Sequence, residues 1–169
     1  MTKAYIIFIG LLLIISTAIA MAGSDSGKDT KDTDSAPVPI EEIASAFRKI
    51  RKIKGHFDGG EWNDELDKWM GRKHRLMIQL GSRISDGNYK KGDIIKLLDQ
   101  PDQIVCKGDD LFEQIIHQQR SDLLEKAYDP STVPPYEFLV YYWRGRHDFL
   151  FFTCLDDIII HSGWLYTGE

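Results

Sequence analysis

The hydrophobic positions between residues 136 and 166 follow the pattern of β-strands. Three runs rich in aromatic and β-branched residues are separated by two short polar segments, as in strands joined by hairpins. Gly145 in the first segment and Asp156-Asp157 in the second tolerate the positive φ that tight turns require. We therefore predict an antiparallel meander of three strands, residues 136–143, 147–154 and 158–166.

Both faces of this predicted sheet are apolar. With two-residue turns, Trp143 pairs with Arg146 and Leu155 pairs with Ile158, whereas a three-residue first turn would slip the first strand by one residue and turn it over. A sheet with one face in water alternates apolar and polar residues, and neither face does so here. Helices should cover one face, and more of the chain, a partner or a ligand should cover at least part of the other. With two-residue turns, the residues of the third strand alternate between the two faces. One face then carries His161, Gly163 and Leu165 together with Tyr141, and the other carries Ser162 and Trp164 together with Val140.

Upstream of the sheet, the apolar spacing becomes that of amphipathic helices. Residues 40–54 carry apolar side chains at helical intervals. The remaining surface of this helix is basic, with Arg48, Lys49, Arg51 and Lys52. We interpret it as a solvated surface, and a face for an anionic membrane or polyanion is the alternative.

The following helices are bounded by caps and glycines. One is predicted from a cap at Asn63 or Asp64 to Leu80, with Gly81 as its stop. Its core stripe comprises Leu66, Trp69, Met70, Lys73, Met77 and Leu80. A short helix over residues 94–98, capped by Asp93, precedes a short strand over 103–106. A last helix begins at Asp109 or Asp110 and runs to about residue 126.

These elements predict an α+β fold. N-terminal helices pack on the C-terminal three-stranded antiparallel meander, and the short 103–106 strand is a candidate addition to it. The length of the chain, 169 residues, suits one such domain. We assign it to residues 40–169.

The first 39 residues differ in composition from this domain. Residues 1–22 contain Lys3 followed by an apolar run with small residues at its end, which predicts a signal peptide cleaved before Met21 or Gly23. The alternative is an uncleaved anchor, since about 20 apolar residues span a bilayer. Residues 23–39 are polar and read as a disordered linker. The expected location is secreted or extracytoplasmic, with membrane contact only if the anchor is retained.

The two cysteines, Cys106 and Cys154, predict one disulfide in an exported protein. It would close a loop of roughly 50 residues, worth about 4 kcal/mol in the chain-entropy model. Two buried free thiols are the alternative. The formal charge of −5 is mildly acidic and gives no sign of nucleic-acid binding.

Two stretches resemble a known family. One is KGDIIKLLDQPD at residues 91–102, and the other is the meander, with the aromatic residues at 141–143 and 151–152 and the isoleucines at 158–160. Together they resemble the BamE (SmpA/OmlA) type of domain, and the β-lactamase-inhibitor-protein fold is built similarly. The resemblance implies a non-enzymatic role in envelope assembly. Here Asp99 stands where that family usually has glycine, the 109–126 helix is an insertion, and no lipobox is present. The GRKH and WRGRHD segments also resemble uncharacterised secreted proteins.

Catalytic signatures are absent from the sequence. There is no Gly-x-Ser-x-Gly elbow, no Cys-x-x-Cys pair and no zinc spacing among the five histidines. We therefore predict no catalytic residue, no cofactor and no metal site. The strongest polar constellation is Arg144, Arg146, His147 and Asp148, where a histidine beside a carboxylate suits an acid–base site and arginines can hold an anion. Arg72, Lys73 and His74 would extend it if their helix passes the turn.

Two hypotheses of different class follow. The first is an exported protein-interaction or inhibitor-like module that binds an unknown protein through an aromatic sheet face; its predicted binding residues are Tyr141, Trp143, Arg144, Arg146, His147 and Asp148. The second is a small exported enzyme or anion-binding protein with its site at residues 144–148. In a rival interpretation, Trp143 is ordinary core beneath the 109–126 helix.

Overall fold

The computed structural model describes residues 37–121 and 134–166. Within them the chain forms four α-helices and four strands: α1 (Ile40–Ile50), α2 (Arg72–Ser85), α3 (Lys91–Leu98), β1 (Gln103–Cys106), α4 (Asp110–Ser121), β2 (Glu137–Arg144), β3 (Asp148–Leu155) and β4 (Ile158–Leu165). The fold is α+β. The predicted leader, most of the linker and the end of the predicted 109–126 helix lie outside the described residues. In the described part of the chain, no helix has the length and apolar character to cross a bilayer.

The four strands form one antiparallel sheet in the order β1-β2-β3-β4. The predicted meander is therefore joined by the short strand β1, which pairs with β2 on the side away from β3. The second predicted turn is confirmed, because Leu155 pairs with Ile158 and both turn aspartates have positive φ, 48° for Asp156 and 67° for Asp157.

The first turn is longer than predicted. Arg144 pairs with Asp148, so three residues form the loop, and Gly145 takes a φ of 50° at its start. The predicted pairing of Trp143 with Arg146 is wrong. A bulge between Tyr142 and Arg144 places one extra residue in β2. The three-residue loop alone would turn the β2 side chains to the opposite face. The extra residue at the bulge reverses that change, so the β2 side chains keep their predicted faces.

A second bulge, at Ile160, changes the faces of β4. Cys154 pairs with Ile159, but Thr153 pairs with His161, which leaves Ile160 without an opposite residue. Beyond the bulge every side chain is turned over relative to the prediction. Ser162 and Trp164 therefore share the face of Leu150 and Phe152, and the predicted faces of His161, Gly163 and Leu165 are also wrong.

The larger core lies between α1, α2, α3 and the sheet face that carries the odd-numbered residues of β2. Phe47, Leu80 and Ile94 represent the three helices in it. The prediction that Gly81 ends α2 is wrong. Gly81 lies inside the helix, where α2 approaches β3 and β4. A Cβ there would lie 3.0 Å from Leu150 Cδ1, and the Ser162 hydroxyl donates to the Gly81 carbonyl over 2.9 Å.

Helix α1 ends four residues earlier than predicted, and part of its basic surface is not solvated. Arg48 donates to the carbonyl of Leu97, and Arg51 donates to that of Leu98. These carbonyls belong to the last turn of α3, where cations complement the negative end of the helix dipole. Lys49 and Lys52 are exposed, as predicted.

The smaller core lies on the other face, beneath α4. The helix contributes Phe112, Ile115 and Ile116, and the sheet contributes Val105, Phe138, Val140, Phe149, Phe151 and Leu165. Each face of the sheet thus packs against helices, with three helices on one side and α4 on the other.

The predicted disulfide does not form. Cys106 on β1 and Cys154 on β3 both lie opposite Glu137 of β2, one on each side. Two strand spacings of about 4.8 Å separate them, which exceeds the roughly 7 Å that a disulfide can bridge between Cα atoms. Both thiols are free, and Cys154 is buried whereas Cys106 is exposed.

Candidate functional site

Two of the predicted binding residues, Tyr141 and Trp143, belong to the larger core. Trp143 is 1% exposed and Tyr141 is fully buried. The Tyr141 hydroxyl donates to the Asp99 carbonyl, and Trp143 Nε1 donates to the Leu66 carbonyl over 2.8 Å. The prediction of an open aromatic sheet face made by these two residues is therefore wrong. The rival interpretation of Trp143 as core is right, but the covering helix is α2, whose His74 ring stacks on it at 4.1 Å.

The other predicted site residues lie at the first turn. Arg144 is engaged with Asp148 through Nε at 3.0 Å and Nη2 at 2.8 Å. Its guanidinium also lies 4.1 Å from the ring centroid of Trp143 and 5.2 Å from that of Phe57. Arg146 and His147 are exposed in the loop. The structure thus brings Arg144 and Asp148 together as a partly buried pair flanked by two exposed basic side chains.

The loop between α1 and α2 packs beside this turn. It occupies the place of the predicted first half of α2, which begins only at Arg72. Asp67 organises the loop: its carboxylate is 2% exposed and accepts the backbone N–H groups of His56 and Asn63. Hydrogen bonds from backbone amides and from Trp143 Nε1 therefore anchor this loop, which also contains a short 3-10 helix, His56–Asp58.

Large apolar side chains project from this loop into solvent. Trp62 is 54% exposed, Trp69 55% and Met70 46%, and Tyr166, just after β4, is 40% exposed. Ring contacts form two groups, Trp62 with Phe57 and Trp69 with Tyr166, and Arg144 links them by lying against Phe57 and the buried Trp143. Trp69 lies 5.3 Å from Tyr166 and 5.7 Å from Trp143, and Trp62 lies 6.3 Å from Phe57, on which Arg144 rests. We call this set the aromatic surface: Phe57, Trp62, Trp69, Met70 and Tyr166.

His74 lies beneath the aromatic surface and fixes its shape. The Met70 N–H donates to its Nδ1 over 3.1 Å, so the other ring nitrogen carries the proton and donates to the Tyr166 hydroxyl at 3.3 Å. Burial, and secondarily the charge of Arg144, lowers the pKa of His74 to about 4. Burial also raises the pKa of Tyr166 to about 12. Both groups are therefore neutral across the ordinary pH range.

Sequence reasoning missed the exposed members of this surface. Trp69 and Met70 have the spacing of a helical core stripe, but they precede the helix, and Met70 has a φ of 58°. Gly71 is the feature of the sequence that could have indicated this break in the predicted helix. A Cβ there would lie 2.4 Å from the Asp64 carbonyl oxygen, so the chain folds back on itself at a point where a continuous helix was predicted.

A separate cleft of about 460 Å³ opens on the α4 side of the sheet, towards β4. Its walls are mainly apolar, and Gln119 donates to the Thr153 hydroxyl at 3.2 Å inside it. The lining residues are Gln118, Gln119, Tyr136, Phe151, Thr153, Ile160, His161, Gly163 and Trp164. Partial burial lowers the pKa of His161, which favours the neutral ring at this position.

Within residues 37–121 and 134–166, no three acidic, histidine or cysteine side chains are placed to hold a metal ion. No protein-family model, curated protein or solved structure matches the chain. The resemblance to the BamE type of domain stays a prediction.

Proposed function

We propose that this chain is an exported, non-enzymatic interaction module, of the inhibitor-like kind, which binds a protein partner through the aromatic surface. The observation that carries the proposal is the exposure of two tryptophans, Trp62 and Trp69, each by more than half. Tryptophan, tyrosine and arginine are the residue types most enriched at binding hot spots.

The rigidity of the surface supports the same proposal. Trp69 packs on His74 at 4.4 Å, and Tyr166 stacks on Trp164 at 5.3 Å with nearly parallel rings. An aromatic side chain that is already held in place loses little conformational entropy on binding. The surface is therefore suited to meet an apolar pocket or patch on a partner without rearrangement.

The rim of the surface is polar. Arg146 and His147 are exposed at the first turn, and Lys68 pairs with Asp64 at 3.2 Å beside Trp69. An apolar centre with a charged rim is the ordinary anatomy of a protein interface. We assign Arg146 and His147 to this rim.

The alternative of an enzyme or anion-binding site at residues 144–148 has less support from the geometry. Arg144 already donates to Asp148 and stacks on two rings. An arginine engaged in this way cannot offer a bidentate fork to a second anion without breaking the existing pair.

Trp69→Ala tests the proposal. Immobilised domain would first be used to recover partners from the exported fraction, and each recovered protein would then be purified and titrated against the variants. We expect Trp69→Ala to weaken binding by about 30-fold, corresponding to roughly 2 kcal/mol. The melting temperature should change little because the side chain is half in water.

Ile104→Ala is the matched control, since Ile104 is 41% exposed on β1 and lies outside the aromatic surface. It should bind as the wild-type domain does. Equal affinities for wild type, Trp62→Ala and Trp69→Ala would show that the aromatic surface is not the interface.

A further inference from the structure

A small pocket of about 130 Å³ lies where the end of α1, the start of α2 and the end of β2 meet. It is distinct from the aromatic surface, and basic side chains dominate its walls. The lining residues are Arg51, Lys52, Ile53, Lys54, Asp58, Lys73, Asp102 and Tyr142. The pocket thus has two more cations than carboxylates.

The ammonium group of Lys73 is the unusual member of this lining. The residue is only 4% exposed, yet within the described residues its Nζ has one hydrogen-bond acceptor, the Trp143 carbonyl at 2.7 Å. No carboxylate of the described chain lies within ion-pair distance of it. A buried ammonium has three N–H donors and is costly to desolvate without a counter-ion. Burial accordingly lowers the pKa of Lys73.

The two carboxylates of the pocket do not neutralise Lys73. Asp102 is engaged elsewhere, because it pairs with Arg51 at 2.6 Å and accepts the Tyr142 N–H at 2.8 Å. Asp58 is exposed and makes no ion pair within the described residues. Its charge acts on Lys73 only at longer range, and raises the lysine pKa.

The rim supplies further positive charge. Lys52 and Lys54 are both exposed, and neither forms an ion pair with a described residue. Both side chains line the pocket. A ligand in the pocket would therefore meet the buried Lys73 and two exposed ammonium groups of the rim.

We propose that this pocket binds a small doubly charged oxyanion of the phosphate type, with Lys73 as its buried anchor and Lys52 and Lys54 as rim contacts. The excess of two cations matches a dianion, and the volume suits a group of phosphate size. Oxyanions accept hydrogen bonds from several ammonium groups at once. The ligand completes the donor set of Lys73, which the folded chain leaves open.

Inorganic phosphate is the probe, measured by calorimetry and by thermal shift against sodium chloride at equal ionic strength. We expect a dissociation constant of about 1 mM or lower, and a melting temperature that rises with phosphate concentration by mass action. Acetate, which has one charge, should bind at least about 10-fold more weakly because fewer cations are neutralised.

Four variants sharpen the test. Lys73→Met should abolish phosphate binding, and Lys54→Met should weaken it about 3- to 10-fold, as expected for a rim charge. Asp58→Asn should strengthen it, because a carboxylate that competes for the same cations is removed. Lys49→Met is the matched control: Lys49 is exposed in the last turn of α1 but does not line the pocket.

Three outcomes would overturn the proposal: phosphate acting no differently from chloride, acetate binding as tightly as phosphate, or Lys54→Met and Asp58→Asn both binding phosphate as the control does. The last comparison uses exposed residues, so it decides the matter even if Lys73→Met does not fold. Trp69→Ala should bind phosphate normally, which separates a failure of this site from a failure of the aromatic surface.

Discussion

The two faces of the sheet are equally apolar in sequence but are covered differently. On one face, three helices form a continuous core in which Tyr141, Trp143 and Phe152 are buried from every side. On the other, α4 packs over residues of all four strands, and a cleft remains between the end of α4 and β4. The comparison teaches that an apolar strand pattern indicates burial without indicating how completely each face is filled. The exposed tryptophans of the aromatic surface come from the loop between α1 and α2, and Tyr166 follows β4.

The largest expected effect is the loss of stability when either of two neighbouring phenylalanines, one on each face, is replaced by alanine. Phe152→Ala should lower the free energy of unfolding by about 5 kcal/mol, because it empties a fully enclosed site. Phe151→Ala should cost about 3 kcal/mol, at the low end for this substitution, since Phe151 lines the cleft. Urea denaturation of both variants measures the difference. A larger loss for Phe151→Ala would mean that the α4 face is the better packed one.

Histidines on the two faces should differ in their effect on pH-dependent stability. The folded-state pKa of His74 is about 4, below its ordinary value of 6.5. Between these values the unfolded chain takes up a proton that the folded chain does not, so stability falls as pH falls from about 6.5 to 4. Relative to His74→Gln, the wild-type domain should lose up to about 3 kcal/mol over this window. Titrating carboxylates are common to both proteins and cancel in the difference.

His161→Gln is the companion variant, because His161 lies exposed beside the cleft. Burial lowers the pKa of His161 as well, so the pH profile of stability of His161→Gln should differ from that of the wild-type domain in the same direction as that of His74→Gln, but by less. Parallel profiles for wild type and His74→Gln would contradict the neutral, buried state of His74. Denaturation curves at pH 7, 5.5 and about 4 suffice to separate these results.

A smaller effect is expected where a glycine touches each face. A Cβ on Gly163 would lie 2.5 Å from a ring atom of Phe151, whereas one on Gly81 would lie 3.0 Å from a methyl group of Leu150. Gly163→Ala should therefore cost about 1–3 kcal/mol through overpacking. Gly81→Ala should cost less, because a methyl group can move by a few tenths of an ångström and alanine favours the helix by up to about 1 kcal/mol. Thermal unfolding would rank the two variants, and the reverse order would contradict this account.

The smallest effect concerns two glycines with open space around them, one on each side of the sheet. Gly92 lies within α3, and Gly108 lies between β1 and α4 with a φ of 106°. Gly92→Ala should stabilise the domain by about 0.5–1 kcal/mol through helix propensity. Gly108→Ala should destabilise it by about 1 kcal/mol, because alanine is strained at that φ. If both substitutions shifted the melting temperature in the same direction, backbone conformation would not determine the sign of the stability change at these two glycines.

Much of the fold was predictable from local chemistry. The alternation of large apolar residues located β2, β3 and β4 within one residue at each end, and the paired aspartates fixed the second turn. Asp99 stands where the BamE type of domain, which this stretch resembles, usually has glycine, and it has a φ of 66°. The two bulges, at Trp143 and Ile160, were not predictable. A bulge changes pairing by one residue while the sequence of apolar positions stays the same.

The candidate site was predicted less well, for a different reason. Trp143 and Trp69 are both large and aromatic, and their burial depends on which elements pass over them. Lys73 shows the same limit: its position on a core stripe was correct, but its isolation from carboxylates depends on contacts with a strand 70 residues away. Residue type and spacing located the strands and the second half of α2, whereas exposure is a property of the assembled chain.

The bulge at Ile160 has a consequence for how this sheet behaves beside another protein chain. β4 is an outer strand, and Lys90 and Tyr89 already occupy the pairing positions at its start, through a bridge to Ile158 and a hydrogen bond from Ile159. The bulge then breaks the regular spacing of N–H and C=O groups before the rest of the strand begins. A strand arriving from outside would find only the short run after Ile160 in register. At the opposite edge, β1 offers only four residues. Both edges of the sheet are therefore poor templates for strand addition by a second copy of the chain.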